Sequence, residues 1–237
     1  MENKTIVIID GNSLMFRAYY ATAYTGNLMQ TSNGLYTNAL YGFVNMMNKI
    51  TDSMNPTHML VAFDAGKQTF RHQQYADYKG TRKKMPEELG MQIPLIKEYL
   101  NVLGIKQLEL LDYEADDIVG SMAKLASKAG YDSQVISGDK DLLQLVDEHI
   151  TVHLTKKGIT DLDDYNIANF FEKMGIYPKQ VPDYKGLVGD TSDNLPGIKG
   201  IGEKTALKLL AEYETLDNLI NHVSDLKGKT RDLISDG

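Results

Sequence analysis

Carboxylates recur at one kind of place along this chain. Asp10 follows the apolar run T-I-V-I-I, Asp64 follows M-L-V-A-F, and Asp139 and Asp141 follow Q-V-I-S-G. Glu114, Asp116 and Asp117 crowd into Y-E-A-D-D-I-V-G, while Asp190 and Asp193 stand in the glycine-marked stretch G-D-T-S-D-N. Any one of them has a structural explanation, because acids cap free N–H groups at helix starts and suit the positive end of the helix dipole. Their joint placement asks for more. In open parallel α/β sheets the carboxyl ends of the strands gather along one edge, where ligands bind. Acids collected there cannot all ionise unless cations neutralise them. An all-oxygen ligand set without Cys or clustered His suits Mg2+ or Mn2+, not Zn2+. His58, His72, His149, His153 and His222 show no metal-ligand spacing with the acids and read as ordinary residues.

Two other phosphate chemistries fail on the letters. A haloacid-dehalogenase site needs a second Asp two residues after the strand-end Asp, and Asn12 occupies that position. A Walker A loop needs Lys directly after its last Gly, but Glu203 separates Gly202 from Lys204 and Thr205.

The positioning elements follow from periodicity. Continuous β-branched or aliphatic runs at 5–10, 58–64 and 133–136 read as strands buried on both faces of a parallel sheet, with further strands at 106–110 and 150–155. Helical spacing marks 14–20, 38–53, 86–103 (opened by Pro86, Glu87 and Glu88), 114–129 and a short helix at 141–146. Glu114, Asp116 and Asp117 thus open a helix whose next turns, with Ile118, Val119, Met122 and Ala123, are apolar enough to be buried. From residue 161 onward only helices are predicted, at 163–174, 181–188, 203–213 and 216–222. The 237 residues therefore read as an α/β domain over 1–160 and a helical region over 161–237.

Composition narrows the class. A mean hydropathy of −0.32 with 42% hydrophobic and 24% charged residues is ordinary for a globular protein. No apolar run approaches the ~18 residues of a membrane span. The absence of Cys excludes disulfides and thiolate metal sites and favours a cytoplasmic protein. The net charge of −7 is unevenly distributed: residues 67–84 carry six Lys or Arg against Asp77 alone, a net +5, leaving −12 for the remainder. An acidic body with one basic strip suits a phosphate-binding surface beside a cation-demanding pocket.

Within the strip, Tyr75 and Tyr78 lie among Lys67, Arg71, Lys79, Arg82, Lys83 and Lys84, offering stacking as well as phosphate contact. The strip has few aliphatic residues, so it is predicted to be mobile until an anion orders it. Residues 197–206, G-I-K-G-I-G-E-K-T-A, match a helix-hairpin-helix. Its glycines let backbone N–H groups approach a phosphate, and the following helix turns its N-terminus to the same anion.

The ordered series V-I-I-D-G-N-S, A-F-D-A-G-K-Q-T-F-R, Y-K-G-T-R, Y-E-A-D-D, S-G-D-K-D-L and G-L-V-G-D-T-S-D-N-L-P-G-I-K-G-I-G-E-K-T-A resembles the 5′-nuclease, flap-endonuclease-like family found at the N-terminus of bacterial DNA polymerase I. It runs from about residue 5 to 217. The resemblance implies a PIN-like, mostly parallel sheet flanked by helices, a helical arch over 67–90 and a C-terminal helix-hairpin-helix subdomain near 190–212. It implies one metal cluster of Asp10, Asp64, Glu114, Asp116 and Asp117, and a second of Asp139, Asp141, Asp190 and Asp193. Tyr78, Lys79 and Arg82 are then near the scissile phosphate, with Arg17 close by and Lys67, Arg71 and Lys83 on the DNA. Gly197, Lys199, Gly200, Gly202, Lys204 and Thr205 grip the duplex, with a K+ ion at the hairpin. The family's domain runs several tens of residues past Gly237, so the chain reads as an excerpt of a polymerase or as a short stand-alone nuclease.

The implied activity is 5′-3′ exonuclease and 5′-flap endonuclease cleavage in primer removal, replication and repair. Asp10, Asp64, Glu114, Asp116, Lys79 and Arg82 are the catalytic set. Two divalent ions ~4 Å apart activate water and stabilise the leaving 3′-oxygen. The implied partner is DNA with a 5′ flap or 5′ end, or the 5′ end of an RNA primer, taken by a monomer with no membrane contact. A catalytically silent junction-binding module is the alternative from another class. A PIN-type RNase is a further one, disfavoured by the helix-hairpin-helix.

Overall fold

The computed structural model describes residues 4–23, 28–66, 69–156 and 161–236. In chain order the elements are β1 (Thr5–Asp10), α1 (Gly11–Ala23), α2 (Asn38–Met54), β2 (His58–Ala62), α3 (Phe70–Gln74), α4 (Glu87–Gly90), α5 (Ile93–Val102), β3 (Lys106–Leu108), α6 (Ala115–Lys128), β4 (Asp132–Ser137), β5 (Ile150–Thr155), β6 (Leu162–Tyr165), α7 (Phe170–Met174), α8 (Val181–Val188), α9 (Glu203–Tyr213), α10 (Leu216–Asn221) and α11 (Gly228–Asp236). Tight 3-10 turns lie at Lys140–Leu145, Pro178–Gln180 and Val223–Asp225. They form two compact units: the chain up to Thr69 joined with Lys84–Asn166, and Phe70–Lys83 joined with the chain from Ile167. Residues 70–83 group by contact with the C-terminal helices, and the second unit resumes at Ile167.

The first unit is a six-stranded sheet in the order β3-β2-β1-β4-β5-β6. Its first five strands are parallel, and β6 runs antiparallel to β5. β1 is central because both its faces are apolar: Val7, Ile8 and Ile9 are wholly buried. Its register pairs Asp10 with Ala62 of β2 and Ile9 with Ile136 of β4, so the carboxyl ends of β1, β2 and β4 finish side by side. The core beside it comes from α1 and α2 (Leu14, Ala18, Phe43, Met47, Ile50) together with Phe63, Leu89, Ile96 and Leu100.

Two expectations change here. Residues 163–174 are not one helix, because Val152 and Leu154 of β5 pair with Tyr165 and Asp163 and draw Leu162–Tyr165 into the sheet as β6. Nor is 86–103 continuous. It breaks into α4 and α5 at Met91 and Gln92, where Gln92 has other work. Wholly buried, its side-chain oxygen accepts from the N–H groups of Ala39 (2.7 Å) and Leu40 (3.1 Å), orphan donors at the start of α2. Its amide nitrogen donates to Asn38 Oδ1 at 3.0 Å and to the Glu88 carbonyl at 2.9 Å. Replacing Gln92 with Leu strands these buried groups and should cost ~2 kcal/mol or more in urea denaturation. An unchanged midpoint and slope would show that water replaces the amide.

In the second unit, α8 and α9 pack through Val181, Leu187, Ala206, Leu209 and Leu210, with Leu219 of α10 beneath them. Another buried amide closes this unit: Gln180 Nε2 donates to the Leu210 and Glu214 carbonyls at the end of α9.

Candidate metal centre

Asp10 is the last residue of β1, immediately precedes α1 and is 5% exposed. Gly11 follows because a Cβ there would lie 2.8 Å from the Ala62 carbonyl oxygen and 2.5 Å from the Phe63 ring. Both carboxylate oxygens of Asp10 are held. Oδ1 accepts from the Ser13 N–H at 2.9 Å, within the first turn of α1, and Oδ2 accepts from the Ser137 hydroxyl at 2.8 Å, at the end of β4. The Ser137 hydroxyl in turn accepts from the Asp139 N–H at 3.0 Å, and Asp139 Oδ1 accepts from the Asp141 N–H at 2.8 Å, capping the 3-10 turn.

Asp64, two residues beyond β2, is held by a different pair. Its Oδ2 accepts from Asn12 Nδ2 at 2.7 Å, and its own N–H donates to Asn12 Oδ1 at 3.2 Å. Its Oδ1 accepts from the Ala115 N–H at 2.7 Å, a free donor at the start of α6. Glu114 is the N-cap of that helix and is buried, its N–H bonded to Asp117 Oδ2 at 3.0 Å. Asp116 and Asp117 occupy the first turn, and α6 is fixed from below by buried Ala115, Ile118, Val119 and Ala123. The strand ends and one helix start thus bring together Asp10, Asp64, Glu114, Asp116, Asp117, Asp139 and Asp141 on one edge of the first unit.

Burial pushes the Asp10 carboxyl up, opposed by the Ser13 and Ser137 hydrogen bonds and reinforced by the negative charges of Asp64 and Asp139, to about 6. Burial and the neighbouring carboxylates thus favour the protonated form of Asp10. The folded value lies above the unfolded one, so Asp10's contribution to stability is fully present below about 3.8 and is lost as pH rises through about 6. A divalent cation held by Asp10 would compete with this proton. Mn2+ affinity should weaken about tenfold per pH unit below pH 6 and level off above it. A flat affinity between pH 5 and 7 in an electron paramagnetic resonance titration would contradict this.

Arg17, half-buried on α1, donates to the Thr155 carbonyl at 2.5 Å and to its hydroxyl at 3.4 Å, which fixes the guanidinium at the end of β5. His153 lies between strands, with Asp164 and Gln134 each 2.6 Å from a ring nitrogen. Asn12, Ser13 and Ser137 were not singled out by sequence as site residues. Each is neutral, and each sits inside the D-G-N-S or S-G-D strings that carry the acids, which is the signal that could have found them.

In the second unit the basic strip is fastened. Tyr78 donates its hydroxyl to Asp193 Oδ2 at 3.0 Å, and Arg82 pairs with Asp193 Oδ1 at 3.0 Å. The Lys79 N–H donates to the Asp193 carbonyl at 3.0 Å, Tyr75 to the Asn194 carbonyl at 3.3 Å, and Asn194 Nδ2 to the Asp77 carbonyl at 2.8 Å. The mobile strip expected from its charge is therefore tied down by polar contacts. Tyr78 and Asp193 are 7% and 6% exposed, which leaves Tyr75, at 38%, the more open aromatic of the two. Lys79 lies over the Tyr78 ring and Arg71 over the Phe70 ring, while Arg82, Lys83 and Lys84 face solvent. Lys67 lies outside the described residues.

Asp190 is occupied by Lys185 at 2.5 Å and by the N–H and hydroxyl of Ser192. Burial raises its carboxyl, but these donors outweigh it and bring it to about 2. The resemblance grouped four acids as a second cluster; Asp139 and Asp141 belong to the first unit, Asp190 and Asp193 to the second. The hairpin itself is formed by close backbone contact: Gly197, at φ 61°, would place a Cβ 2.2 Å from the Gly189 nitrogen. Gly202 caps α9 with open space around it, and Lys199 and Lys204 are exposed beside that helix start.

Comparison with known proteins gives one answer along the whole length. The family described as 5′-3′ exonuclease, N-terminal resolvase-like domain, matches residues 5–175, and that described as 5′-3′ exonuclease, C-terminal SAM fold, matches 176–237. DNA polymerase I of Bacillus caldotenax is 50% identical over 226 residues, and that of Bacillus subtilis strain 168 is 48% identical over 228. These alignments cover 95% and 96% of this chain but only 25% and 26% of the relatives, so the chain spans about a quarter of their length. Among solved structures, T5 5′-exonuclease with bound divalent metal ions (zinc) superposes with a TM-score of 0.75 at 22% identity, covering 98% of this chain and 83% of that one. Flap endonuclease-1 of Methanococcus jannaschii superposes at 0.59 and 18% identity, covering 98% and 77%. At such identities the structures establish a shared fold.

Proposed function

Because this chain belongs to the 5′-3′ exonuclease family, we propose that it hydrolyses DNA phosphodiesters at 5′ ends and 5′ flaps, using two Mg2+ or Mn2+ ions. The observation that carries this reading is the buried Asp10 with the carboxylates of Asp64 and Asp139 close enough to act on it, a gathering of oxygen donors. Such donors fit hard cations. When bound, those ions supply an activated water and neutralise charge at the phosphate. Asp10, Asp64, Glu114, Asp116 and Asp117 hold one ion, and Asp139 and Asp141 serve the other. Arg82 and Lys79 offset the charge that builds on the phosphate oxygens. The products are a 5′-phosphate and a 3′-hydroxyl. As part of a longer DNA polymerase I, the domain would clear DNA or RNA primer ends ahead of synthesis.

The test is a 5′-flap duplex incubated with the protein in Mg2+, in chelator, and in chelator with Mg2+ restored. Cleavage in the first and third reactions alone supports the reading. No cutting of flap or recessed 5′ end in Mg2+ or Mn2+ would overturn it in favour of a silent junction binder.

Grip is assigned separately, to the hairpin with Lys199 and Lys204 and a K+ ion bridging to a DNA phosphate. Lys204→Ala should weaken duplex binding and reduce the slope of log affinity against log salt by about 1. Single-turnover cleavage at saturating enzyme should change only a few-fold. Fluorescence anisotropy over a salt series checks the first and rapid quench the second; a collapsed saturated rate with intact affinity would mean the hairpin serves chemistry.

A further inference from the structure

We propose that Ser137 is a positioning residue of the acidic centre, holding Asp10 and Asp139 in one mutual arrangement toward a divalent cation. It rests on the proposal that these acids hold such a cation. Ser137 ends β4 and is 0% exposed, so no water competes for its hydroxyl from bulk solvent. That hydroxyl does two things at once, donating to Asp10 Oδ2 at 2.8 Å and accepting from the Asp139 N–H at 3.0 Å. A hydroxyl carries a single proton and two lone pairs, so with the proton given to Asp10 the lone pairs remain for the Asp139 N–H. The rotor is therefore set, and a shift of either acid would break one bond. The intervening peptide is pinned as well, since the Gly138 N–H donates to the Ser13 hydroxyl at 2.6 Å while the Ser13 N–H holds the other oxygen of Asp10.

The result is a continuous tie from the end of β1 through Ser137 to Asp139 and on to the Asp141 N–H. Losing a group that orients a metal-ligating side chain typically costs about 10- to 100-fold in metal affinity. Alanine at 137 could neither donate nor accept, and cysteine, nearest in size, does both weakly. Threonine keeps the hydroxyl.

The experiment measures Mn2+ binding by electron paramagnetic resonance in the intact protein, alongside the metal dependence of flap cleavage and the melting temperature in chelator. Ser137→Ala is expected to weaken Mn2+ binding by about 10- to 100-fold. The metal concentration for half-maximal cleavage should rise to match, while the rate at saturating metal stays within a few-fold. Ser137→Thr should recover most of the affinity. If Ser137→Ala does not fold, Ser137→Cys is measured in its place with the same expectation. A folded Ala or Cys protein that binds Mn2+ like wild type overturns the proposal. So does a loss confined to melting temperature, which would make Ser137 a core residue only. Asp10→Ala separates the two levels: if it too binds Mn2+ like wild type, or if wild type binds none, the cation centre itself is wrong and the role of Ser137 falls with it.

Discussion

Asp116→Ala should lower the single-turnover rate of 5′-flap cleavage by on the order of 10³-fold or more, with the fold intact. Removing one ligand from a two-ion site forfeits several kcal/mol of transition-state stabilisation, and each ~1.4 kcal/mol is a factor of ten. Asp116 is in the first turn of α6, whose buried face of Ala115, Ile118, Val119 and Ala123 attaches it to the sheet. Alanine is the best helix former, so the helix persists. The lost attraction between the acid and the helix N-terminus is worth only ~0.3–1 kcal/mol, and removing one charge from a crowded acidic edge offsets it. Rapid-quench cleavage over a range of Mg2+ concentrations, with circular dichroism as a control, checks this. A near-normal rate at any of those concentrations would remove Asp116 from the site.

The second large effect is expected at Asp193. Its carboxylate accepts from the Tyr78 hydroxyl on one oxygen and from Arg82 on the other. The Arg82 side chain is 49% exposed, so the ion pair contributes little, whereas the buried hydrogen bond to a charged acceptor is worth about 1.5–3 kcal/mol. Asp193→Ala should therefore accelerate amide exchange across residues 70–83 by about 10- to 100-fold in protein free of DNA. Tyr78→Phe should reproduce most of that acceleration, and Arg82→Ala much less. Equal protection in wild type and Asp193→Ala would mean that the backbone bonds from Asp193 and Asn194 hold the strip unaided.

What the sequence revealed, and what it hid, divides along physical lines. The strand that ends at Asp10 and the one that leads to Asp139 were legible because burial on both faces leaves an uninterrupted apolar run, and α9 because Ala206, Leu209 and Leu210 repeat at helical spacing after a glycine. β6 was not legible. L-D-D-Y is too short for alternation to speak, its two acids resemble a helix start, and only pairing with β5 decides it. Gln92 interrupts a good helical pattern for the sake of α2, more than fifty positions away. The strip illustrates the same limit: its charge and lack of aliphatics were read correctly, but what fastens it comes from residues 192–194. The acids of the centre could be read one by one. The hydroxyls and amides that aim them could not, since Asn12 and Ser137 look like any turn residues until the strands lie side by side.

The two ends of the sheet bear on how this chain behaves in a crowded solution. An open sheet presents unpaired backbone groups at each edge, and a long flat apolar edge invites another chain to add itself. Here one edge strand, β3, has three residues and begins with an exposed lysine. The other, β6, has four and carries Asp163 and Asp164 in its middle. Neither offers a length of uncharged backbone on which an incoming strand could align. The parallel interior can therefore consist of the β-branched runs that favour aggregation, with its two ends guarded by brevity and charge, and the protein keeps a concentrated acidic edge in place without its sheet becoming a template for self-assembly.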